Sequence, residues 1–409
     1  MSTNKHYFLE QSSVLNSMLF LERFTFYGLQ TFTYSYLISE AMNLYGDDAT
    51  ELLLTFSSAL LFARVFGGLM VDFLFGNKLS IVVSCALQIL GIGLFMQKQL
   101  GLFYLGMFVF ILGQSLFSPA ILKSIGLLYT ERKHKLDGAL SINLFATNLG
   151  VFLAPLAFYY LGLSSTFQFG FISCIICLLI IAGLSFLIKK VDSGSESHAT
   201  SLDSNNRINE IIFLSILGLF LYWLFERLLT RSMDNFNYSG FRSGSVNRLL
   251  SLIPSLIPIA GYLIFGIIWN RFKFSPLLKV AIGFGAATIS IFAAIMTMAS
   301  SQTDNPAFMT SFIALNFIGE IMLFPTLMSF ILQFSPRKFM ATFSGLALSA
   351  FGFLSFYIGN KLFDNIGDGN YRIMTLVAGA GFFFCMLVAL ILFLLTKKKD
   401  ASHNHLDEF

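Results

Sequence analysis

Long apolar runs alternate with short polar connections along almost the whole chain. Crossing about 30 Å of hydrocarbon takes roughly 20 mostly apolar residues. On that measure the pattern predicts twelve spans, near residues 12–39, 49–75, 80–97, 102–129, 138–162, 165–188, 210–232, 245–271, 277–299, 307–334, 338–361 and 372–396. The first block does not read as a cleavable signal peptide: it is too long, contains Glu22 and Arg23, and is followed by further spans. The longest polar stretch, Lys189 to Glu210, is rich in Ser, Asn and Asp and reads as a flexible linker. It is too short for an additional pair of helices. The predicted organisation is an N-terminal six-helix bundle over 1–188, a cytoplasmic linker over 189–209, a C-terminal six-helix bundle over 210–396 and a cytoplasmic tail over 397–409.

The two halves echo one another. Span 4 reads Gly113-Gln-Ser-Leu-Phe-Ser-Pro119 and span 10 reads Gly319-Glu-Ile-Met-Leu-Phe-Pro325, with glycine and proline at the same spacing. Span 1 holds Leu21-Glu22-Arg23 and span 7 holds Phe225-Glu226-Arg227. Matching elements at matching positions of two six-span halves predict parallel repeats related by an axis along the membrane normal. Substrate is then expected near the midplane, between the halves.

Composition makes lipid the solvent. The chain is 56% hydrophobic and 12% charged, about half the charged fraction of a soluble domain. The net charge of +4 is no nucleic-acid signal, because the basic residues cluster between apolar blocks. Lys5, Lys78, Arg132, Lys133, Lys135, Lys189, Lys190, Arg207, Arg271, Lys273, Arg337, Lys338, Lys397, Lys398 and Lys399 lie in the tails and even-numbered connections. The first opposite loop carries Glu40, Asp47, Asp48 and Glu51. Positive residues favour the inside, so both termini are expected in the cytoplasm, with the chain multi-pass in a plasma membrane, the inner one in a bacterium. Cys174 and Cys177 form a CxxC, but their neighbours are apolar and no second ligand pair is near, so they read as small packing residues. The five histidines lie in loops or tails, which leaves none for an intramembrane proton relay. No cofactor or metal is implied.

Ionisable groups at helix centres cost at least about 2.5–3.5 kcal/mol each, and persist where they face a cavity or a partner. The candidates are Glu22, Arg23, Arg64, Lys123, Glu226, Arg227, Arg231 and Glu320. Residues three and four apart share a helix face. Arg23, Tyr27, Gln30 and Tyr34 therefore line one face of span 1, Tyr222 and Glu226 one face of span 7, and Trp223, Arg227 and Arg231 the next. Asn316 and Glu320 share a face of span 10, Gln114 and Ser118 one of span 4, and Asn143 and Thr147 one of span 5. These stripes are expected to line one polar, aromatic cavity. Each site has a plainer reading. Glu22–Arg23 and Glu226–Arg227 can be static ion pairs that fix packing. Glu320 can be a permanently protonated, hydrogen-bonded carboxyl, or one that loads a proton reversibly. Lys123 is expected to snorkel from the cytoplasmic end of span 4. Asp72, in Gly67-Gly68-Leu-Met-Val-Asp72, ends span 2 beside a short basic turn, where a carboxylate can cap and clamp the next helix pair.

Leu21-Glu22-Arg23-Phe24-Thr25-Phe26-Tyr27-Gly28 resembles ExxERFxYYG, the first-helix signature of the proton-dependent oligopeptide transporter family of the major facilitator superfamily. Further similarities follow in order: Gly67-Gly68-x-x-x-Asp72; Pro119, Gly126 and Tyr129; Asn148-Leu149-Gly150 with Ala154-Pro155; Phe225-Glu226; and Gly319-Glu320, Pro325, Ser335-Pro336 and Gly359-Asn360. They cover nearly the whole chain. The resemblance implies an all-α membrane protein with the major facilitator fold, twelve transmembrane helices in two six-helix bundles. It implies that Arg23, Tyr27, Asn148, Glu226 and Glu320 line a peptide-sized cavity, that Glu320 holds the substrate's amino end, and that Glu22 belongs to a proton-linked cluster. The pattern also departs from the family. Leu19 stands for the first glutamate, Ser118 for the span-4 lysine, Ala120 for the asparagine after the proline, Gln30 for an arginine, and Arg227 for the glutamine after Glu226. The usual cation partners of the span-7 glutamate are missing, with Arg227 and Arg64 as candidate replacements.

The expected function is alternating-access transport of a peptide-like or amphiphilic solute with altered or reduced proton coupling. The expected substrate contacts are Arg23, Tyr27, Gln30, Ser118, Asn148, Tyr222, Trp223, Asn316 and Glu320. The expected proton-coupling residues are Glu22, Glu226 and Glu320, and Arg64, Asp72 and Arg227 are expected to gate or brace. Partners are then the small-molecule or peptide substrate, protons and membrane lipids, with no nucleic acid. The alternative is a transport-incompetent relative serving as a scaffold, sensor or subunit of a membrane complex, which calls for a protein partner. An enzyme finds no support: the chain has no H-E-x-x-H zinc site and no G-x-S-x-G nucleophile.

Overall fold

A computed structural model describes residues 2–162, 167–188, 202–234, 253–299, 306–366 and 371–404. Among these the chain is helical, with no strand. In order, the helices are α1 (Ser2–Ile38), α2 (Gly46–Met70), α3 (Gly76–Phe95), α4 (Leu100–Leu128), α5 (Leu136–Gly162) and α6 (Gln168–Ser185). There follow α7 (Leu202–Asp234), α8 (Ile253–Arg271), α9 (Pro276–Ala299), α10 (Pro306–Phe334), α11 (Met340–Ser349, continued through a π turn to Ser355–Ile366) and α12 (Tyr371–Asn404). Among the described residues, nine helical segments are long and apolar enough to cross a membrane, one of them the continuous Gly46–Phe95 that carries both α2 and α3.

The twelve predicted spans each meet one of these helices, and the differences lie at the ends. α1 starts ten residues before its predicted span and α12 runs to Asn404, into the predicted tail. Both extensions are polar, so hydropathy alone passes them over. Residues 189–201 of the predicted linker, the stretch 245–252 opening predicted span 8, and residues 405–409 lie outside the described residues. α2 gives way to a π turn over Val71–Phe75, and Gly76 then takes φ 70°, a value any side chain would strain to adopt.

The helices fall into two compact units. One holds the chain through Phe213 together with Ser329–Phe353; the other holds Leu214–Met328 and the chain from Leu354. In the first unit α1 packs on α5 and α6, α3 on α4 and α6, and α2 on α4 and on the opening of α11. Its core is aromatic: Phe26, Phe56, Phe95, Phe103 and Phe110 form one cluster, and buried Tyr36 donates its hydroxyl to the Phe95 carbonyl at 2.7 Å. In the second unit α9 packs on α12, and Tyr222, Phe225, Phe284 and Phe382 make the corresponding cluster. The outer faces carry large apolar side chains such as Phe108, Ile176, Leu179, Phe292, Phe384 and Leu395. Such continuous apolar surface suits lipid rather than water.

The sequence echo between span 4 and span 10 has a packing counterpart. A methyl group on Gly113 would stand 2.8 Å from the Ser84 carbonyl oxygen of α3. One on Gly319 would stand 3.0 Å from the Gly283 carbonyl oxygen of α9. Each glycine lets its helix lie backbone to backbone against the helix before it, and each has a proline six residues on, inside the same helix.

Candidate functional site

The chemistry of a membrane span is set by which helix surfaces carry its few polar groups, and here they gather into a cluster in each unit. In the first unit Glu22, on α1, is wholly buried. One carboxylate oxygen accepts a hydrogen bond from the side-chain amide of Gln114 on α4. The other lies 2.9 Å from Arg23 Nε, an electrostatic contact without hydrogen-bond alignment. Arg23 is 9% exposed and donates from Nη2 to Ser118 Oγ at 2.8 Å, again on α4. Arg64, on α2, is buried within electrostatic reach of Glu22, Arg23 and Tyr27. Tyr27 and Gln30 are half-buried on the same stripe of α1. Asn148 is half-buried on α5, and its amide donates to the Leu144 carbonyl of its own helix at 2.8 Å.

Asp72 is tied to two other helices. It sits in the π turn after α2, with one oxygen 2.7 Å from Lys123 Nζ and the other accepting from the Thr342 backbone N–H at 2.7 Å and the Thr342 hydroxyl at 2.8 Å. The Ala341 N–H lies 3.4 Å from the first oxygen. These are the opening N–H groups of α11, which a carboxylate caps and whose dipole it favours. Gly67 and Gly68 bring α2 close enough for this: side chains there would meet the Ser115 backbone on α4 and the Ala341 carbonyl on α11. The expectation that Lys123 snorkels is corrected. It is held by Asp72, and a paired ammonium has no need to reach the interface.

In the second unit Glu320, on α10, accepts a hydrogen bond from Tyr262 Oη of α8 at 3.0 Å. Tyr262 is 1% exposed. Tyr222, on α7, is also buried and donates to the Asn316 backbone carbonyl at 2.9 Å, one turn from Glu320. Glu226 is within electrostatic reach of both Glu320 and Tyr222. The Asn316 side-chain oxygen is buried without a hydrogen-bond partner among the described residues. Trp223 is half-buried beside Tyr222, their rings edge to face at 6.2 Å. Arg227 turns to α11: Nε donates to Asn360 Oδ1 at 3.1 Å, and the guanidinium lies 4.4 Å from the Phe356 ring centre.

Of the sequence-predicted residues, Glu22, Arg23, Tyr27, Ser118 and Arg64 thus come together in the first unit, and Tyr222, Glu226, Asn316 and Glu320 in the second. The two candidate replacements for the span-7 cation part ways, Arg64 to the Glu22 cluster and Arg227 to Asn360. Tyr262 was not foreseen. Its signal was faint: a tyrosine in an apolar helix, next to Gly261, reads as packing until its neighbour on α10 is known.

The sequence profile of the Major Facilitator Superfamily matches residues 17–360. Among curated proteins, the chain is 28% identical over 180 residues to the uncharacterized transporter YclF of Bacillus subtilis, a match covering 43% of this chain and 37% of that protein. It is 28% identical over 184 residues to the peptide transporter YePEPT of Yersinia enterocolitica, covering 42% of this chain and 36% of the relative. It is 25% identical over 207 residues to dipeptide and tripeptide permease A of Salmonella typhi, covering 50% and 41%. The chain thus spans about two fifths of the length of the curated relatives it matches. Among solved structures, a POT family transporter in complex with 5-aminolevulinic acid superposes with TM-score 0.61 at 18% identity, over 95% of this chain and 96% of that one. The Escherichia coli fucose:proton symporter FucP superposes with TM-score 0.69 at 15% identity, over 94% and 98%.

Proposed function

The chain belongs to the major facilitator superfamily, and we propose that it is a divergent member of its proton-dependent oligopeptide transporter branch and a secondary transporter of that type. It moves a peptide-like or amphiphilic solute by alternating access, with the six-helix halves 1–188 and 210–396 as the bodies that rock and residues 189–209 as their cytoplasmic tether. It works in the inner membrane of a bacterium, with both termini in the cytoplasm.

The observation that carries the reading is the acid pair of the second unit. Glu320 lies within electrostatic reach of Glu226, and buried Tyr262 donates to its carboxylate. Two carboxyls in one another's field inside an apolar bundle form a site where a proton or a substrate amino group offsets like charge. Glu320 takes the amino end of the solute, and Glu22, Glu226 and Glu320 take part in proton coupling. Arg23, Tyr27, Gln30, Ser118, Asn148, Tyr222, Trp223 and Asn316 supply the remaining polar and aromatic lining. Arg64, Asp72 and Arg227 brace or gate the helices. Coupling is altered from the family pattern, because Leu19, Ser118 and Arg227 replace ionisable or amide groups of its motifs.

A second reading, a transport-incompetent scaffold, draws on one observation: Arg227 is held by Asn360 and Phe356. Counterflow separates the two. Purified protein in liposomes preloaded with a peptide or amphiphile is expected to exchange labelled solute across the membrane without any ion gradient. A scaffold exchanges nothing and copurifies with another membrane protein instead.

A further inference from the structure

The first unit carries a cavity that its polar cluster does not use. Its volume is about 810 Å³, within the roughly 300–1,000 Å³ of small-molecule sites. Its walls come from four helices of that unit: Leu15 of α1, Leu79 and Val82 of α3, Leu127 and Leu128 of α4, and Phe186 just past α6. Lys78, Leu79 and Phe186 are exposed at the mouth, and Leu15 is buried on the inner wall. Close-packed interiors leave few voids larger than a water molecule, and an unfilled apolar void forfeits the dispersion contacts of its lining. An apolar cavity of this size that opens to the surface calls for an apolar occupant.

The few polar groups narrow the choice. The inner ones are engaged within the protein. Gln11 donates to the Leu187 carbonyl at 3.2 Å, Ser124 donates to the Ala120 carbonyl at 2.7 Å, and Lys123 is held by Asp72. The outer ones are Asn77 and Lys78, in the first turn of α3. The Lys78 ammonium lies 3.3 Å from the Phe186 carbonyl and 3.4 Å from the Ile188 carbonyl, and it pairs with no acid among the described residues. No acid lines the cavity among those residues either. In the sequence, Lys189 and Lys190 follow Ile188 directly. An apolar interior with a cationic mouth fits an acyl chain that ends in an anion. A zwitterionic headgroup would bring its own cation to Lys78, with no acid on the lining to receive it. Basic pockets between helix ends take anionic headgroups for this reason.

We propose that this cavity is a binding site for an anionic phospholipid. One acyl chain lies among Leu15, Val82, Leu127 and Leu128, and the phosphate sits at Lys78 and Asn77. The lipid comes from the leaflet that Lys78 faces, the cytoplasmic one in the orientation proposed above. Bound there, it covers the stem of Lys123 and keeps water from the Asp72–Lys123 pair, and so braces the junction of α2, α4 and α11.

Native mass spectrometry of the full chain in detergent tests the site. The probes are palmitoyl-oleoyl phosphatidylglycerol, the matching phosphatidylethanolamine, and glycerophosphate, which carries the anion without the chains. Wild type is expected to retain phosphatidylglycerol over phosphatidylethanolamine by about fivefold, the scale of one lysine at an anionic surface, and to retain no glycerophosphate. Lys78→Gln, a change at an exposed position, is expected to hold both lipids alike. Val82→Trp is expected to fill the cavity and to lose both. Lys133→Gln is the control, on an exposed basic connection outside the cavity, and is expected to keep the wild-type preference. Phosphatidylglycerol is also expected to raise the melting temperature of wild type more than that of Lys78→Gln, because a ligand of the folded state stabilises it. Equal retention of the two lipids by wild type, an unchanged preference in Lys78→Gln, or the same loss of preference in Lys133→Gln overturns the assignment. Displacement of phosphatidylglycerol by glycerophosphate overturns it as well, by making the site one for a free anion. Undiminished retention by Val82→Trp does so by placing the chain elsewhere. None of these readouts depends on transport.

Discussion

Asp72 joins three helices, through Lys123 on α4 and the opening N–H groups of α11. Its side chain is fully buried and Lys123 is 12% exposed, so neither has water to fall back on. Breaking a buried pair by removing one partner costs about 3–5 kcal/mol. Asp72→Ala is therefore expected to lower the melting temperature in detergent markedly, and Asp72→Ala combined with Lys123→Met to recover much of the loss. Thermal unfolding of the four proteins of this double-mutant cycle measures the coupling. Tyr262→Phe is a gentler change, since it removes only the hydroxyl that donates to Glu320. A hydrogen bond to a charged group contributes about 1.5–3 kcal/mol, so its stability loss is expected to be smaller than that of Asp72→Ala by the same measurement. At this scale the sequence disclosed which residues matter but not whom they meet. Asp72 was legible as a cap because Gly67-Gly68 and a basic turn flank it. Its bond to Lys123 was not, because fifty residues of chain separate them and a lysine near a helix end ordinarily reaches for the interface. Asn148 was named by the family resemblance alone, and the structure adds that its amide donates to the Leu144 carbonyl of its own helix.

Helices were legible almost completely, because a backbone in lipid must satisfy its own hydrogen bonds and the apolar runs can do so only as helices. The polar ends of α1 and α12 were missed for the same reason, since hydropathy reports the solvent and not the helix. The glycine–proline echo carried further information than periodicity. It paired Gly113 with Gly319 as repeat equivalents, and the structure shows both as points where neighbouring helices approach backbone to backbone. Gly113→Val and Gly319→Val are each expected to pry their helix pairs apart and to lower folded yield in detergent, read by gel filtration and thermal unfolding. Gly93→Ala, on α3, is the control: nothing lies within 4 Å of the added methyl, so it is expected to be neutral or slightly stabilising through helix propensity.

At the scale of the whole molecule, the division into two compact units gives each its own aromatic core and its own polar cluster. The first unit's cluster carries surplus positive charge, and the second unit's carries two acids. The central claim is that these acids link solute movement to protons, and Glu320 is the residue on which it turns. The most direct measurement is accumulation of a counterflow-positive solute in proteoliposomes under an imposed inward proton gradient, for wild type and Glu320→Gln. The account predicts that wild type concentrates the solute above equilibrium and that Glu320→Gln does not respond to the gradient. Accumulation that ignores both the gradient and the substitution would contradict it.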